Sequence, residues 1–311
     1  MDGGIVQHTL RSSVEFVGVG LHGGQPARVA IRPAAAGAGI WFRRLDVAGA
    51  AAHIPARWDM VRQSPLCTRL ENADGVSVAT VEHLMAALAG CGVHNALVEI
   101  DGPEIPILDG SAAQFVRGIM AGGLRRLGAP IEAIEITAPI EVRRGAACAR
   151  LEPAELLQMD FHIDFEDAVI GAQSKRLTMA NGTFVRELSD SRTFCRNADV
   201  EAMRKNGLAL GGTLENAVVV DGDHVLSPGG LRHADEPVRH KMLDALGDLA
   251  LAGAPLLGRY IGVRAGHAIT NDLLRALFAT PGAYRRVTCG PDIAARLPGA
   301  GLRDSEIPAV A

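Results

Sequence analysis

The sequence predicts an α+β fold organised as two domains, and three observations carry that prediction. Leu157, Met159, Phe161, Ile163 and Phe165 alternate with Gln158, Asp160, His162 and Asp164. That period of two marks a strand with one buried and one wet face. Helical patterns are few and do not follow strands in the regular alternation of a doubly wound sheet. No dinucleotide loop is present either: Gly18-Val-Gly20-Leu-His-Gly23 has the wrong spacing, and a strand-like segment follows it. A length of 311 residues, about twice the commonest domain size, fits two units.

Taken in order, the first unit spans residues 1–128. An apolar helix runs from Val81 to Ala89, with Thr80 at the N-cap position and Gly90 as its stop. A short apolar strand covers Ala96 to Ile100. Ser111-Ala-Ala-Gln114 reads as a capping box for a second helix, with Phe115, Ile119 and Met120 on its apolar side and Gly122-Gly123 at its end. After Gly128-Ala-Pro130 an alternating strand is expected from Ile131 to Val142, which places the second unit at 133–280. There Asp199 caps a short helix ending at Gly207, and Ala217 to Val220 form a strand before the Asp221-Gly222 turn. Glu236-Pro237 opens the clearest helix of the chain, closing at Gly253. Thr270 caps a last helix, Asn271 to Ala279. Residues 281–311, rich in Gly, Pro, Ala and Arg, are expected to form a loosely structured tail. No internal repeat is legible in the residues.

Composition narrows the function class. Hydrophobic residues at 48% suffice for a real core, and with only 4% aromatics that core must be built from Ala, Val, Leu and Ile. A net charge of −4 argues against a nucleic-acid binder with a general basic surface. The five cysteines, Cys67, Cys91, Cys148, Cys195 and Cys289, are odd in number and never spaced C-x-x-C. That speaks against a disulfide framework and against a cysteine-only zinc site. The opening residues lack a secretory signal pattern, and no apolar run reaches about 18 residues. A soluble cytoplasmic protein is expected.

Chemistry concentrates on a few residues. His240, Asp244 and Asp248 recur every four residues and lie at roughly 0°, 40° and 80° on a helical wheel. The apolar residues of the same helix occupy the opposite side. Periodicity alone leaves two readings open: an ordinary polar stripe on a surface helix, or a His/Asp pair one turn apart that chelates a metal. Glu82-His83 in the first turn of the earlier helix is the best donor of a third ligand, placing an imidazole on the metal and a carboxylate beside a bound water. Against this stands a plain charged first turn, favoured by the helix dipole. His267, before the last helix, is a further candidate or an ordinary loop histidine.

Longer motifs then carry a family resemblance. Gly18-Val-Gly-Leu-His22-Gly-Gly, Thr80-Val-Glu-His83-Leu and Glu104-Ile-Pro-Ile-Leu-Asp109-Gly-Ser-Ala come first. Ser191-Arg-Thr-Phe194, Val238-Arg-His-Lys-Met-Leu-Asp-Ala-Leu-Gly-Asp248-Leu and Gly266-His-Ala follow. Together, in this order and at comparable spacing, they resemble the UDP-3-O-acyl-N-acetylglucosamine deacetylases, zinc enzymes of lipid A biosynthesis in Gram-negative bacteria. The likeness runs from about Gln7 to Leu277, far more specific than any single metal pair.

The resemblance implies two similar domains, each a mixed or antiparallel sheet layered with helices in a β-α-α-β sandwich. It also implies a β-α-β insert from about Cys195 to His224 that makes an apolar passage for the 3-O-acyl chain, with Met203, Leu208, Leu210, Val218 and Val219 as candidate walls. It makes His83, His240 and Asp244 the ligands of one catalytic Zn2+, with Fe2+ as the alternative in the cell, and leaves a position for water. Glu82 matches the general base, His267 the general acid or oxyanion stabiliser, Asp248 its charge partner and Thr193 the oxyanion hydroxyl. Lys241 matches a nucleotide-sugar contact, Phe165 the ring on uracil, Phe194 a wall near the sugar, and His22 the mouth. The implied partner is a small acylated UDP-sugar, and a monomer is expected. Two departures stand out. Ala147 replaces a lysine associated with the diphosphate, leaving Arg143 or Arg144 as substitutes, and Glu166-Asp-Ala168 lacks a proline that would stiffen the loop beside the uridine pocket. Two other readings remain: an inactive binder of nucleotide-sugar lipids, and a zinc amidase acting on another acylated sugar.

Overall fold

The computed structural model describes residues 6–64 and 66–309, and each half of the chain contributes a five-stranded sheet. The first runs in the order Val14–Val19, Pro26–Pro33, Ala96–Ile100, Ile40–Arg44, His53–Pro55. The second runs Ile140–Arg144, Ala147–Glu152, Arg259–Val263, Gln158–Asp164, Ala172–Thr178. In both, the last strand in the chain enters at the centre, antiparallel to the second and parallel to the third. The halves therefore share one topology although their residues show no repeat. A sheet needs only the right alternation of buried and exposed positions, which many sequences satisfy.

The helices are α1 (Glu82–Gly90), α2 (Ala113–Gly122), α3 (Thr183–Glu187), α4 (Asn197–Lys205), α5 (Glu236–Ala250) and α6 (His267–Ala279). In sequence, α1 and α2 flank the central strand of the first sheet, and α5 and α6 flank that of the second. α1 packs on α5, α2 on the Val14–Val19 strand, and α6 on Ile140–Arg144 and Ala147–Glu152, giving a sheet-helix-helix-sheet sandwich. α1 buries Leu84, Met85, Ala86, Ala87 and Leu88 because it is apolar nearly all round. Its contact with α5 is backbone to backbone at Gly247, where an added Cβ would lie 2.0 Å from the Glu82 carbonyl oxygen. Among the described residues no helix is long and apolar enough to cross a membrane.

Several expected boundaries move. Val81, not Thr80, precedes α1; Thr80 adopts φ of 57° and donates its hydroxyl to Glu104 Oε1 at 2.9 Å. The capping box at Ser111 does not form: α2 starts behind Ala112, and Ser111 Oγ donates to Asp109 while accepting the Ala113 N–H at 3.2 Å. The single strand expected over Ile131–Val142 is two, Glu132–Ile136 and Ile140–Arg144, in different sheets. Pro139 lies between them and cannot donate to a ladder. Asp199 sits inside the first turn of α4, and α5 ends at Ala250, ahead of Gly253. Thr270 is likewise inside α6, which opens at His267. The break expected after Gly128 falls within the Leu124–Pro130 strand, which pairs with Val6–Leu10.

The expected loose tail is the larger correction. Tyr284–Thr288 pairs antiparallel with Glu132–Ile136, and α7 (Pro291–Ala294) follows. Cys289, Ala294 and Leu297 are buried in a small cluster with Ile131, Ala133 and Leu257. Gly299 lies so close to Cys91 that a Cβ would come within 2.4 Å of its backbone. A composition of small residues hides this packing, because small residues are what let two backbones approach. The outer ends of the expected first unit and of the tail, residues 1–5 and 310–311, lie outside the described residues.

Candidate active site

The α1–α5 contact joins polar residues from both halves. Glu82 and His83 stand in the first turn of α1, His240, Asp244 and Asp248 along α5, and His267 at the start of α6. The stripe on α5 is not a wet face: His240, Asp244 and Asp248 are 2%, 5% and 3% exposed. α1 covers it, and that excludes the surface-helix reading.

His83 Nε2 lies 3.5 Å and His240 Nε2 3.2 Å from the same atom, Asp244 Oδ1. One donor atom from each of these three residues falls within 4.8 Å of the others. Asp244 Oδ1 is buried and has no hydrogen-bond donor. A buried carboxylate oxygen left this way costs about 1–3 kcal/mol or more, so the geometry fits a cation held between the three side chains. His240 is already aimed: its Nδ1 is 3.0 Å from the Ser191 carbonyl, which fixes the tautomer with Nε2 free to ligate. Burial opposes ionisation of Asp244, yet His240 and Lys241 outweigh it and hold the carboxyl well below its usual range. Lys241 Nζ donates to Asp244 Oδ2 at 2.8 Å.

Next to this set are an acid and a histidine that are both pushed upward, for different reasons. Burial pushes the Glu82 carboxyl up to about 7, against the pull of His267. Burial would lower His267, but Asp248 and Glu82 outweigh it and raise the imidazole to about 9. His267 Nδ1 donates to Asp248 Oδ2 at 2.9 Å, while Nε2 lies 3.8 Å from Glu82 Oε1.

All of these except Asp248 line one cavity of about 810 Å³. Thr193, Lys241, Phe165, Phe194 and His22 line it as well. The two phenyl rings meet edge to face, centroids 5.4 Å apart, and His22 keeps a buried Nε2 without a partner. The insert is a β-α-β unit, the Phe194–Arg196 strand parallel to Val218–Asp221 with α4 between them in sequence. Of the five candidate walls only Met203 and Val219 line the cavity. Val218 is buried in the core, Leu210 is 53% exposed, and Leu208 also stands off; Val200, Leu214, Leu66 and Ile269 are walls that pattern did not reveal. Arg144 lines the cavity and pairs with Asp272, whereas Arg143 pairs with Glu141 away from it. The loop after Phe165, without its proline, is tied to the insert: Asp167 accepts from Arg196 Nε and from the Gly222 N–H at 3.3 Å.

Three supporting residues have no signal in spacing. Glu104 accepts from the His22 and Gly23 N–H groups at 2.8 and 2.7 Å and so holds the glycine turn at the mouth. The Ser191 carbonyl orients His240, and Thr68 touches both Glu82 and Asp248. Each acts across a sequence gap that no periodicity can report.

A sandwich of two like α+β halves, with a buried His/His/Asp set, an adjoining acid and a charged histidine, defines the class of metal-dependent hydrolases. A profile of the family "UDP-3-O-acyl N-acetylglycosamine deacetylase" matches residues 7–279. A UDP-3-O-acyl-N-acetylglucosamine deacetylase of Phenylobacterium zucineum is 51% identical over 288 residues, covering 93% of this chain and 98% of the relative. Enzymes of the same name from Anaeromyxobacter sp. (strain Fw109-5) and Shewanella violacea are 45% and 43% identical, over 94% and 91% of this chain and 95% and 93% of theirs. The chain belongs to the UDP-3-O-acyl-N-acetylglucosamine deacetylase family, and is an amide hydrolase of lipid A biosynthesis.

Proposed function

We propose that the protein hydrolyses the acetamide of UDP-3-O-acyl-N-acetylglucosamine, releasing acetate and the free amine, with one zinc ion held by His83, His240 and Asp244. The observation that carries this reading is the single cavity joining the His/His/Asp set to the apolar walls of the insert. A zinc ion in that set, when bound, supplies Lewis acidity to the amide carbonyl and to the attacking water.

The chain's own residues do the rest. Glu82, whose carboxyl is pushed up to about 7, accepts the proton of the attacking water. His267, kept charged by Asp248, donates a proton to the departing nitrogen, which would otherwise have to leave as an amide anion. Thr193 offers its hydroxyl to the developing oxyanion. Lys241 binds the sugar portion, Phe165 stacks on the uracil, Phe194 walls the sugar, and His22 stands at the mouth. Arg144 takes over the diphosphate contact that Ala147 has lost, and Met203 and Val219 line the passage for the acyl chain.

The test is free amine released from the 3-O-acylated substrate, beside the same nucleotide sugar without its acyl chain. Turnover of the acylated compound, lost on chelation and restored by zinc, is expected. No amine release by a zinc-loaded protein would reduce it to a binder or assign it to another acylated sugar, and equal rates on both compounds would show that the acyl chain is not recognised.

A further inference from the structure

We propose that Thr68 is a positioning residue for this reaction, holding Glu82 and the Asp248–His267 pair in one register. The inference rests on the deacetylase reading above. Thr68 stands just before the Arg69–Glu71 strand and is 3% exposed. Its carbonyl accepts from the Val81 N–H at 3.3 Å, so the residue is tied to the start of α1. Its N–H donates to Glu82 Oε2 at 3.0 Å. Its hydroxyl donates to Asp248 Oδ1 at 2.5 Å, reaching α5 across 180 residues of sequence.

Each carboxylate thus has one oxygen on Thr68 and the other turned toward His267. Glu82 Oε1 faces His267 Nε2 at 3.8 Å, and Asp248 Oδ2 takes His267 Nδ1 at 2.9 Å. A carboxylate anchored at one oxygen cannot swing about its last torsion. The Thr68 hydroxyl therefore sets the plane of Asp248, Asp248 sets the ring of His267, and the ring sets where Nε2 meets the departing nitrogen. Displacements of about 1 Å in such a chain are enough to cost on the order of 100-fold in rate. Thr68 does not line the cavity and makes no hydrogen bond to His83, His240 or Asp244, so it acts only through the other residues.

Two substitutions separate the hydroxyl from the shape of the side chain. Thr68→Val keeps the volume and loses the donor; Thr68→Ser keeps the donor and loses a methyl. Both are expected to retain stoichiometric zinc, since neither touches a ligand. For Thr68→Val, kcat should fall on the order of 10- to 100-fold, the loss of one hydrogen bond to a charged group. KM should stay within about twofold, and Thr68→Ser should turn over within about threefold of the parent. A role in packing alone predicts the reverse order. The proposal is overturned by Thr68→Val turning over like the parent, or by Thr68→Ser falling as far as Thr68→Val. If Thr68→Val does not fold, Thr68→Ala against Thr68→Ser makes the same comparison. An inactive parent chain overturns the deacetylase reading along with this one; an active parent indifferent to Thr68→Val overturns this one alone.

Discussion

Glu82 and His83 are neighbours in the first turn of α1, yet substitution should separate them sharply. Glu82→Gln keeps the hydrogen bond from Thr68 and removes only the proposed proton acceptor, so zinc should stay bound while kcat drops by roughly three orders of magnitude. His83→Ala and Asp244→Ala each remove one of the three proposed ligands and should release the metal on dialysis. Metal analysis of the purified variants reads both effects, and stoichiometric zinc in His83→Ala would remove that ligand from the site. A second residue-scale prediction concerns His94, far from this chemistry. Its Nδ1 accepts the His8 N–H at 3.1 Å, and burial, with His8 beside it, lowers its pKa to about 4. The unfolded chain takes up this proton near pH 6.5 and the folded chain only near 4. Stability from His94 is therefore full above pH 6.5 and lost as the pH falls toward 4, by on the order of 2–3 kcal/mol. His94→Asn keeps an acceptor for His8 without titrating. Urea unfolding at pH 7 and pH 5 should show a smaller loss in the variant, and equal losses would count against this origin.

At the scale of elements, the decisive contact is α1 on α5. Gly247→Ala places a methyl where the Glu82 carbonyl now stands, 2.0 Å from the new carbon, so the helices must separate. Overpacking of this kind costs about 1–3 kcal/mol. Because the shift falls on Glu82 itself, kcat should drop with stability, and urea unfolding and turnover of one preparation measure both. A variant as active and stable as the parent would show that the crossing has slack. The same contact explains what was legible at this scale. The Gln158–Asp164 strand and the Ala96–Ile100 strand follow from alternation and apolar runs, because such patterns are local. The starts of α1, α2 and α6 differ from the expected caps because the hydroxyls of Thr80, Ser111 and Thr270 donate elsewhere: to Glu104, Asp109 and the Gly266 carbonyl. Capping is a competition for hydrogen bonds, and tertiary partners enter it unseen.

At the scale of the whole molecule, the C-terminal segment is part of the fold. Ending the chain after Gly282 would remove the Tyr284–Thr288 edge strand, the cluster around Leu297 and the seat of Gly299 on Cys91. Such a protein should melt several degrees lower, a loss of about 2–4 kcal/mol spread over those contacts, and an unchanged melting temperature would return the segment to the status of a loose tail. The residues alone determined the α+β class, the His/Asp stripe on one helix face and, through several long motifs in order, the family. Those are properties of spacing, and spacing survives without coordinates. Only the tertiary structure decided that the stripe is buried, that the two halves repeat one topology, that Arg144 rather than Arg143 reaches the cavity, and that Thr68 joins Glu82 to Asp248. Each of these depends on which distant surface covers a residue, and a linear pattern carries the period of a face but not the identity of what packs against it.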